Sequence, residues 1–274
     1  MLNDQERKWI YRHAYLPEHL PDYVAAVSGA EPFLQRNYLY FLAKKHLIFN
    51  GYPLVAESDP AASIYDAVCQ RLQPNSAALI ASTIWLPAEQ LEQQTVDNYY
   101  RLDLPLPSTD ASVAYMVRRA RRDLRVSRGR FGKEHRKIIK AFVGRHRFNR
   151  RQKDLFKHIP RYLRASDSAV LLEARKQNTL VAFNVVDVGA ADYAFYLFSF
   201  RAAKIKVPGA SDLLFQTMVS QAQAQGKKAV NLGLGVNAGI RRFKEKWGGV
   251  PFLNYCSALV DKREIDLGRL ARKL

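Results

Sequence analysis

Residues 229–261, AVNLGLGVNAGIRRFKEKWGGVPFLNYCSALVD, decide the fold. Ala229 to Gly235 is an apolar run that ends in glycines, and Asn237 to Trp247 carries Ile240, Phe243 and Trp247 at helical spacing. Gly248 and Gly249 stop that helix before a second apolar run, Val250 to Val260. The reading is strand, helix, strand. Working outward, LLFQTMVSQAQAQ (213–225) is a helix with Ser211 as its expected N-cap and Gly226 as its stop, preceded by the loop KIKVPGAS (204–211). Before it, SAVLLEARK, TLVAFNVVDVG and DYAFYLFSFRA are β-branched and aromatic runs separated by turns at Gln177-Asn178 and Ala190-Ala191, which reads as an antiparallel meander. From residue 167 onward the order is β-β-β-α-β-α-β.

The first half is mixed α/β: a helix over PFLQRNYLYFLAKK (32–45), a strand HLIFNGY, a helix SIYDAVCQRL, then strands AALIASTIWL and ASVAYMV (111–117). With 274 residues and 48% apolar content the chain buries one large core or two ordinary ones. Only Cys69 and Cys256 are present, in no CxxC or CxxH pair, and the six histidines show no metal-ligand spacing, so a disulfide framework, a metal site and a hydrolytic triad are not expected. The first residues mix acids and bases and lack the apolar run of a secretory signal, and no run reaches the roughly 18 apolar residues that span a bilayer. The expected compartment is the cytoplasm, with peripheral membrane contact left open.

Charge divides the molecule. The net charge is +18, and residues 118–164 hold 19 Lys and Arg against three acids, Asp123, Glu134 and Asp154. Ile138, Ile139, Phe142 and Val143 recur at helical spacing while Arg136, Lys137 and Lys140 take the other face. A second basic helix follows in NRRQKDLFKHIPRYLR, where Pro160 is expected to kink or end the regular part. Arg118, Arg119, Arg121, Arg122, Arg136, Lys137, Lys140, Arg150 and Arg151 are the candidate polyanion contacts, because arginine forks suit phosphate; tRNA is one such partner. The same helices also read as solvated faces. Phe131, Phe142, Phe148 and Phe156 fit core spacing better than base-stacking platforms.

The late strands, NLGLG followed by NAGIRRFKEKWGG, resemble the acyl-CoA N-acyltransferase (GNAT) superfamily. More narrowly they resemble its Fem-type branch, through Phe243, Lys244, Trp247 and Gly248, and the lipid aminoacyltransferases that share that C-terminal domain. The resemblance covers residues 167–262 and implies two GNAT-like domains with mixed, largely antiparallel sheets flanked by helices. The first is a degenerate copy over 1–145 ending in a basic helix, the second the acyltransferase domain over 146–274. It implies an acyl- or aminoacyltransferase that takes acyl-CoA or aminoacyl-tRNA as donor, holds no tightly bound cofactor, and moves the acyl group to an amine or hydroxyl. Lys244 would then lie near the reacting ester.

The physics of the residues supplies further candidates. A strand feeding through a glycine loop into a helix offers unpaired amides at a positive dipole end, here Lys206, Val207, Gly209, Ala210 and Ser211, with the strand end Asn231, Gly233 and Asn237 opposite. The loop has one glycine where the GNAT pattern has two, and Asp212 adds a negative charge, so the same stretch also reads as an ordinary connection. Gly233, Gly235 and Gly239 are one residue too widely spaced for a dinucleotide fingerprint. Glu173, Asp187 and Asp192 are nominated as general base and Tyr255 as acid. The rival reading is an inactive GNAT-like protein that binds RNA or another polyanion.

Overall fold

The computed structural model describes residues 1–56, 59–106 and 110–261, without the side chains of Arg151 and Asp261. Its elements are α1 (Asp4–His13), α2 (Pro21–Ser28), β1 (Glu31–Gln35), β2 (Tyr38–Ala43), β3 (His46–Asn50), α3 (Ala61–Leu72), β4 (Ser76–Ala81), β5 (Leu91–Asp103), α4 (Ala111–Asp123) and β6 (Arg125–Arg128). There follow α5 (Lys133–Val143), α6 (Arg150–Ala165), β7 (Ala169–Lys176), β8 (Thr179–Asp187), β9 (Tyr193–Arg201), α7 (Ala210–Ala224), β10 (Ala229–Leu234), α8 (Ala238–Glu245) and β11 (Val250–Asp261). Among the described residues eleven strands form one mixed sheet in the order β1-β2-β3-β4-β11-β5-β10-β9-β8-β7-β6. The last strand therefore lies between β4 and β5, and β6 joins the far edge beside β7.

The meander β7-β8-β9 is antiparallel as its turns predict, and Gln177 takes the left-handed backbone (φ 51) that a tight turn requires. One face of these strands is covered by α4 and α7, the other by α2, α5 and α6. β8 is buried on both sides, which explains its unbroken apolar run.

Two expectations are overturned. Residues 32–45 form the hairpin β1-β2 rather than a helix, with Arg36 in the left-handed region (φ 54) between the strands. Tyr38, Leu39, Tyr40 and Phe41 are all buried, so both faces of β2 are covered and the alternation that marks a strand is erased. Residues 111–117 open α4 instead of forming a strand. Asp110 accepts the Ser112 amide at 2.7 Å as N-cap, and Val113, Val117 and Ala120 form the buried stripe; the helical period overrides β-branched propensity. β5 and β6 carry no alternation and escape the sequence reading.

α6 also runs through Pro160 to Ala165 rather than ending there. Its far turn is anchored: the Tyr162 hydroxyl donates to Asp187 Oδ2 at 2.5 Å, and Ser168 donates to the same oxygen at 2.8 Å. The Gly189 amide meets Asp187 Oδ1 at 2.8 Å. Asp187 is fully buried, so Asp187→Ala leaves these donors without an acceptor. Urea unfolding is expected to show a loss of about 2–4 kcal/mol, and a smaller change would mean that α6 is held by its apolar stripe alone.

Candidate active site

β10 runs parallel to β9 only where Ala229–Asn231 face Tyr193–Phe195. β9 continues to Arg201, whereas β10 slips by one residue against β5 between Asn231 and Gly233, and Gly233 adopts φ 72. An extra residue on one strand bends it and raises its twist. The two strands part beyond Phe195, and a cleft of about 1020 Å³ opens between them. Tyr196, Phe243 and Lys244 line it from the face that carries α7 and α8; Leu197, Phe142 and His146 line it from the face that carries α5. The cleft thus reaches through the sheet.

One wall is the start of α7. Gly209, not Ser211, is the N-cap; Ser211 lies inside the first turn. Gly209 has φ 79, and a Cβ there would sit 2.2 Å from the Met116 carbonyl oxygen of α4, so only glycine fits. Among the described residues the amides of Gly209, Ser211 and Asp212 have no protein acceptor, as the first turn of a helix dictates. Asp212 is buried and its charge is compensated: Lys246 Nζ lies 2.5 Å away and Trp247 Nε1 donates to it at 3.0 Å. That clasp ties α8 to α7 and accounts for Trp247, which is buried among α7 side chains. Arg145, Arg201, Lys206, Lys244 and Lys246 line the cleft against the single acid Asp212, so the space is cationic.

Lys244 is 3% exposed rather than solvated, although Arg241 and Arg242 on the same helix are exposed. Its Nζ donates to the Leu234 carbonyl at 2.6 Å and lies 5.2 Å from the centre of the Tyr100 ring. Burial lowers its pKa to about 7, with Asp97 opposing that shift. Asp97, which sequence reading missed, also accepts the amides of Gly235 and Val236 at 3.2 and 2.7 Å and so holds the loop that follows β10. No local pattern marks it, because its partners are 138 and 139 residues away.

Several nominated residues lie elsewhere. Glu173 is buried between α5 and β7, 3.1 Å from His135 Nε2 and 2.6 Å from Arg175 Nε, and does not line the cleft. Asn231 is buried; it donates to the Tyr15 carbonyl at 2.8 Å and accepts the Gly233 amide at 2.7 Å, which ties the N-terminal segment to the bulge. Asn237 caps α8 through the Ile240 amide at 3.0 Å. Asp192 pairs with Lys228 at the opposite end of β9, and Tyr255 packs edge-on against Tyr99, on the face away from Lys244. Lys206, Val207, Gly209, Ala210, Ser211, Gly233 and Lys244 are the nominated residues that come together around the cleft. The belt residues Arg118, Arg119, Arg121, Arg122, Arg136, Lys137, Lys140 and Arg150 are exposed, and Arg145 and His146 at the end of α5 bring the belt to the cleft mouth.

The fold as a whole, one mixed sheet flanked by helices, has counterparts among solved structures. The C-terminal DUF2156 domain assigned to a lysylphosphatidylglycerol synthetase of Agrobacterium fabrum aligns over 98% of this chain and 94% of that one, at 14% identity and TM-score 0.64. The fold is GNAT/Fem-like. FemX aligns over 93% of this chain and 96% of its own at 11% identity and TM-score 0.62. A tandem GNAT protein of the clavulanic acid biosynthesis pathway aligns over 84% and 79% at 10% identity and TM-score 0.53, which matches the two-domain GNAT-like arrangement. No family model matches the chain, and no curated protein matches it by sequence.

Two measurements probe the site. The folded lysine titrates near 7 and the unfolded one near 10.5, so between those values the unfolded chain binds more protons and stability rises with pH. From pH 7.5 to 8.5, well below the titration of unfolded tyrosines, wild-type urea melts are expected to gain up to about 1.4 kcal/mol per pH unit relative to those of Lys244→Met. Equal slopes would place Lys244 in water. Gly209→Ala is expected to lower stability by about 2 kcal/mol or more through backbone strain and displacement of α4, read as a shift in the urea midpoint.

Proposed function

We propose that this chain transfers an acyl or aminoacyl group from an anionic carrier, aminoacyl-tRNA or acyl-CoA, to an amine or hydroxyl. The observation that carries the reading is the cationic cleft between β9 and β10, with free helix amides on one wall and a buried lysine on another. The names of the structural neighbours support it: a domain assigned to a lysylphosphatidylglycerol synthetase, FemX and a tandem GNAT protein.

In this scheme the carrier phosphates meet Lys206 and the amides of Gly209, Ser211 and Asp212, and the activated carbonyl points toward Lys244. The acceptor nitrogen or oxygen attacks the carbonyl carbon directly; the new bond forms as the bond to the tRNA ribose oxygen or the CoA sulfur breaks, and the leaving atom takes up a proton. Lys244 offers an N–H to the oxygen on which charge develops, and a nearby anion would favour its charged form. Glu173 is enclosed by its own partners, so the base is left to the acceptor's surroundings. We assign the basic surfaces of α5 and α6 on one face of the sheet and of α4 on the other to the polyanion, with Arg145 and His146, next to α5, as the handover to the cleft. The domain boundary near 145 and a cytoplasmic location, in which Cys69 and Cys256 stay reduced, belong to the same proposal. Among the described residues no helix is long and apolar enough to cross a membrane.

The test is a transfer assay with radiolabelled aminoacyl-tRNAs and acyl-CoA esters over a panel of amine and hydroxyl acceptors. Lys244→Met is expected to lower kcat/KM about a hundredfold or more without unfolding the protein. Salt-dependent RNA binding with no transfer to any acceptor would replace the enzyme by a polyanion binder.

A further inference from the structure

At the mouth of the cleft one aromatic ring stands apart. Of the four rings in the cleft wall, those of Phe142, Tyr196 and Phe243 are part-buried, and His146 alone is exposed. Tyr196 and Phe243 stack on each other, with centroids 6.3 Å apart and planes 17° apart, and Phe215 meets both at near right angles, so those two rings are spent on packing. Phe142 is spent likewise, edge-on to Phe156 and Phe200 at 5.7 and 5.2 Å. His146 is held in place without being covered. Its Nδ1 donates to the Phe142 carbonyl at 2.8 Å, and its ring lies 4.4 Å from that of Phe142 and 5.5 Å from that of Phe148, within 29° of parallel to the latter. Phe148 rests in turn on the edge of Phe156 at 5.2 Å. A ring fixed in this way loses little conformational freedom when a ligand lies on it.

The surroundings of this ring are cationic. Residues 135–153 contain no Asp or Glu, and Arg145 and Arg201, both exposed, share the cleft wall with His146. Arg145 Nε donates to the Ala141 carbonyl at 3.1 Å, and among the described residues its two terminal nitrogens bond to no protein group. A ligand complementary to both features carries a flat face and a negative charge, and a nucleotide has both: its base stacks on an aromatic ring, and its phosphate fits guanidinium forks. We propose that His146, backed by Phe142 and Phe148, is a stacking subsite for the adenine of the donor, with Arg145 and Arg201 beside it for a phosphate. It rests on the transferase reading for the choice of base, since acyl-CoA carries adenine and the acyl-bearing end of tRNA is an adenosine. The end of α1 repeats the local arrangement without the cleft: His13 Nδ1 meets the Trp9 carbonyl at 2.9 Å and the two rings lie 3.9 Å apart, yet His13 does not line the cleft.

The full chain is titrated with AMP, and with ribose 5-phosphate as the control that lacks the base, while the ring protons of His146 and His13 are followed by NMR. AMP is expected to move the His146 protons upfield to saturation and to leave those of His13 in place, and ribose 5-phosphate is expected to cause no upfield shift. No upfield shift with AMP, or the same shift with both ligands or at both histidines, overturns the subsite. Affinity is then read from the H8 and H2 resonances of AMP. His146→Ala is expected to weaken AMP binding about tenfold, and His146→Phe, which keeps a ring to stack on, to retain most of it. Unchanged affinity in His146→Ala, or a loss in a folded His146→Phe as large as that in His146→Ala, overturns it too. In the transfer assay His146→Ala raises KM for acyl-CoA but not for acyl-pantetheine if CoA is the source of the adenine. If tRNA is the source, it raises KM for aminoacyl-tRNA but not for an aminoacyl-RNA that ends in an abasic ribose. Unaltered KM for both full donors overturns the assignment to the donor. Should no substrate pair react at all, the transferase reading fails while the AMP titration still decides the subsite.

Discussion

The one-residue slip of β10 against β5 at Asn231–Gly233 is the constraint on which the rest of the site depends. Without it β9 and β10 would continue as an ordinary parallel pair, their amides and carbonyls would satisfy each other, and no cleft would open. The slip requires a residue that tolerates φ 72, which Gly233 supplies, and it is pinned by Asn231, whose carboxamide holds both the Gly233 amide and the Tyr15 carbonyl. Asn231 is therefore a positioning residue with no exposure to the cleft.

From that opening the electrostatics follow. The loop beyond β10 is held on one side by Asp97 and on the other by Lys244, which bonds to the last strand carbonyl. Lys244 is enclosed because the Asp212 clasp with Lys246 and Trp247 draws α8 onto α7. A charge that looked hostile to an anion, Asp212 in the first turn of α7, is spent on this clasp. What remains facing the cleft is positive.

The second half of the fold was legible because its signals are local: the meander turns, the Gly226 and Gly248-Gly249 stops and the helical spacing of Ile240, Phe243 and Trp247 each act within a few residues. The first half was less so. Residues 32–45 and 111–117 were misread because burial of both faces of β2 removes alternation, and because valines in α4 mimic a strand. At the site, Lys244 and the 206–211 loop were legible from the motif and the strand-loop-helix grammar. Glu173 was misplaced, since strand periodicity says which residues share a face but not which face meets a cleft. Asp97 was invisible, because its partners are brought to it by a segment remote in sequence.

By itself the amino-acid sequence determined the alternation of strands and helices after residue 167, the concentration of positive charge in residues 118–164, and the placing of Lys244 and a glycine-containing loop beside the late strands. Tertiary structure alone decided that β11 returns to lie between β4 and β5, and that the basic belt reaches the cleft at Arg145. It alone decided as well that Lys244 is buried while its neighbours are in water. The reason is physical: propensity and capping act over one or two turns, whereas strand order, burial and the pairing of charges depend on which distant segments share a surface.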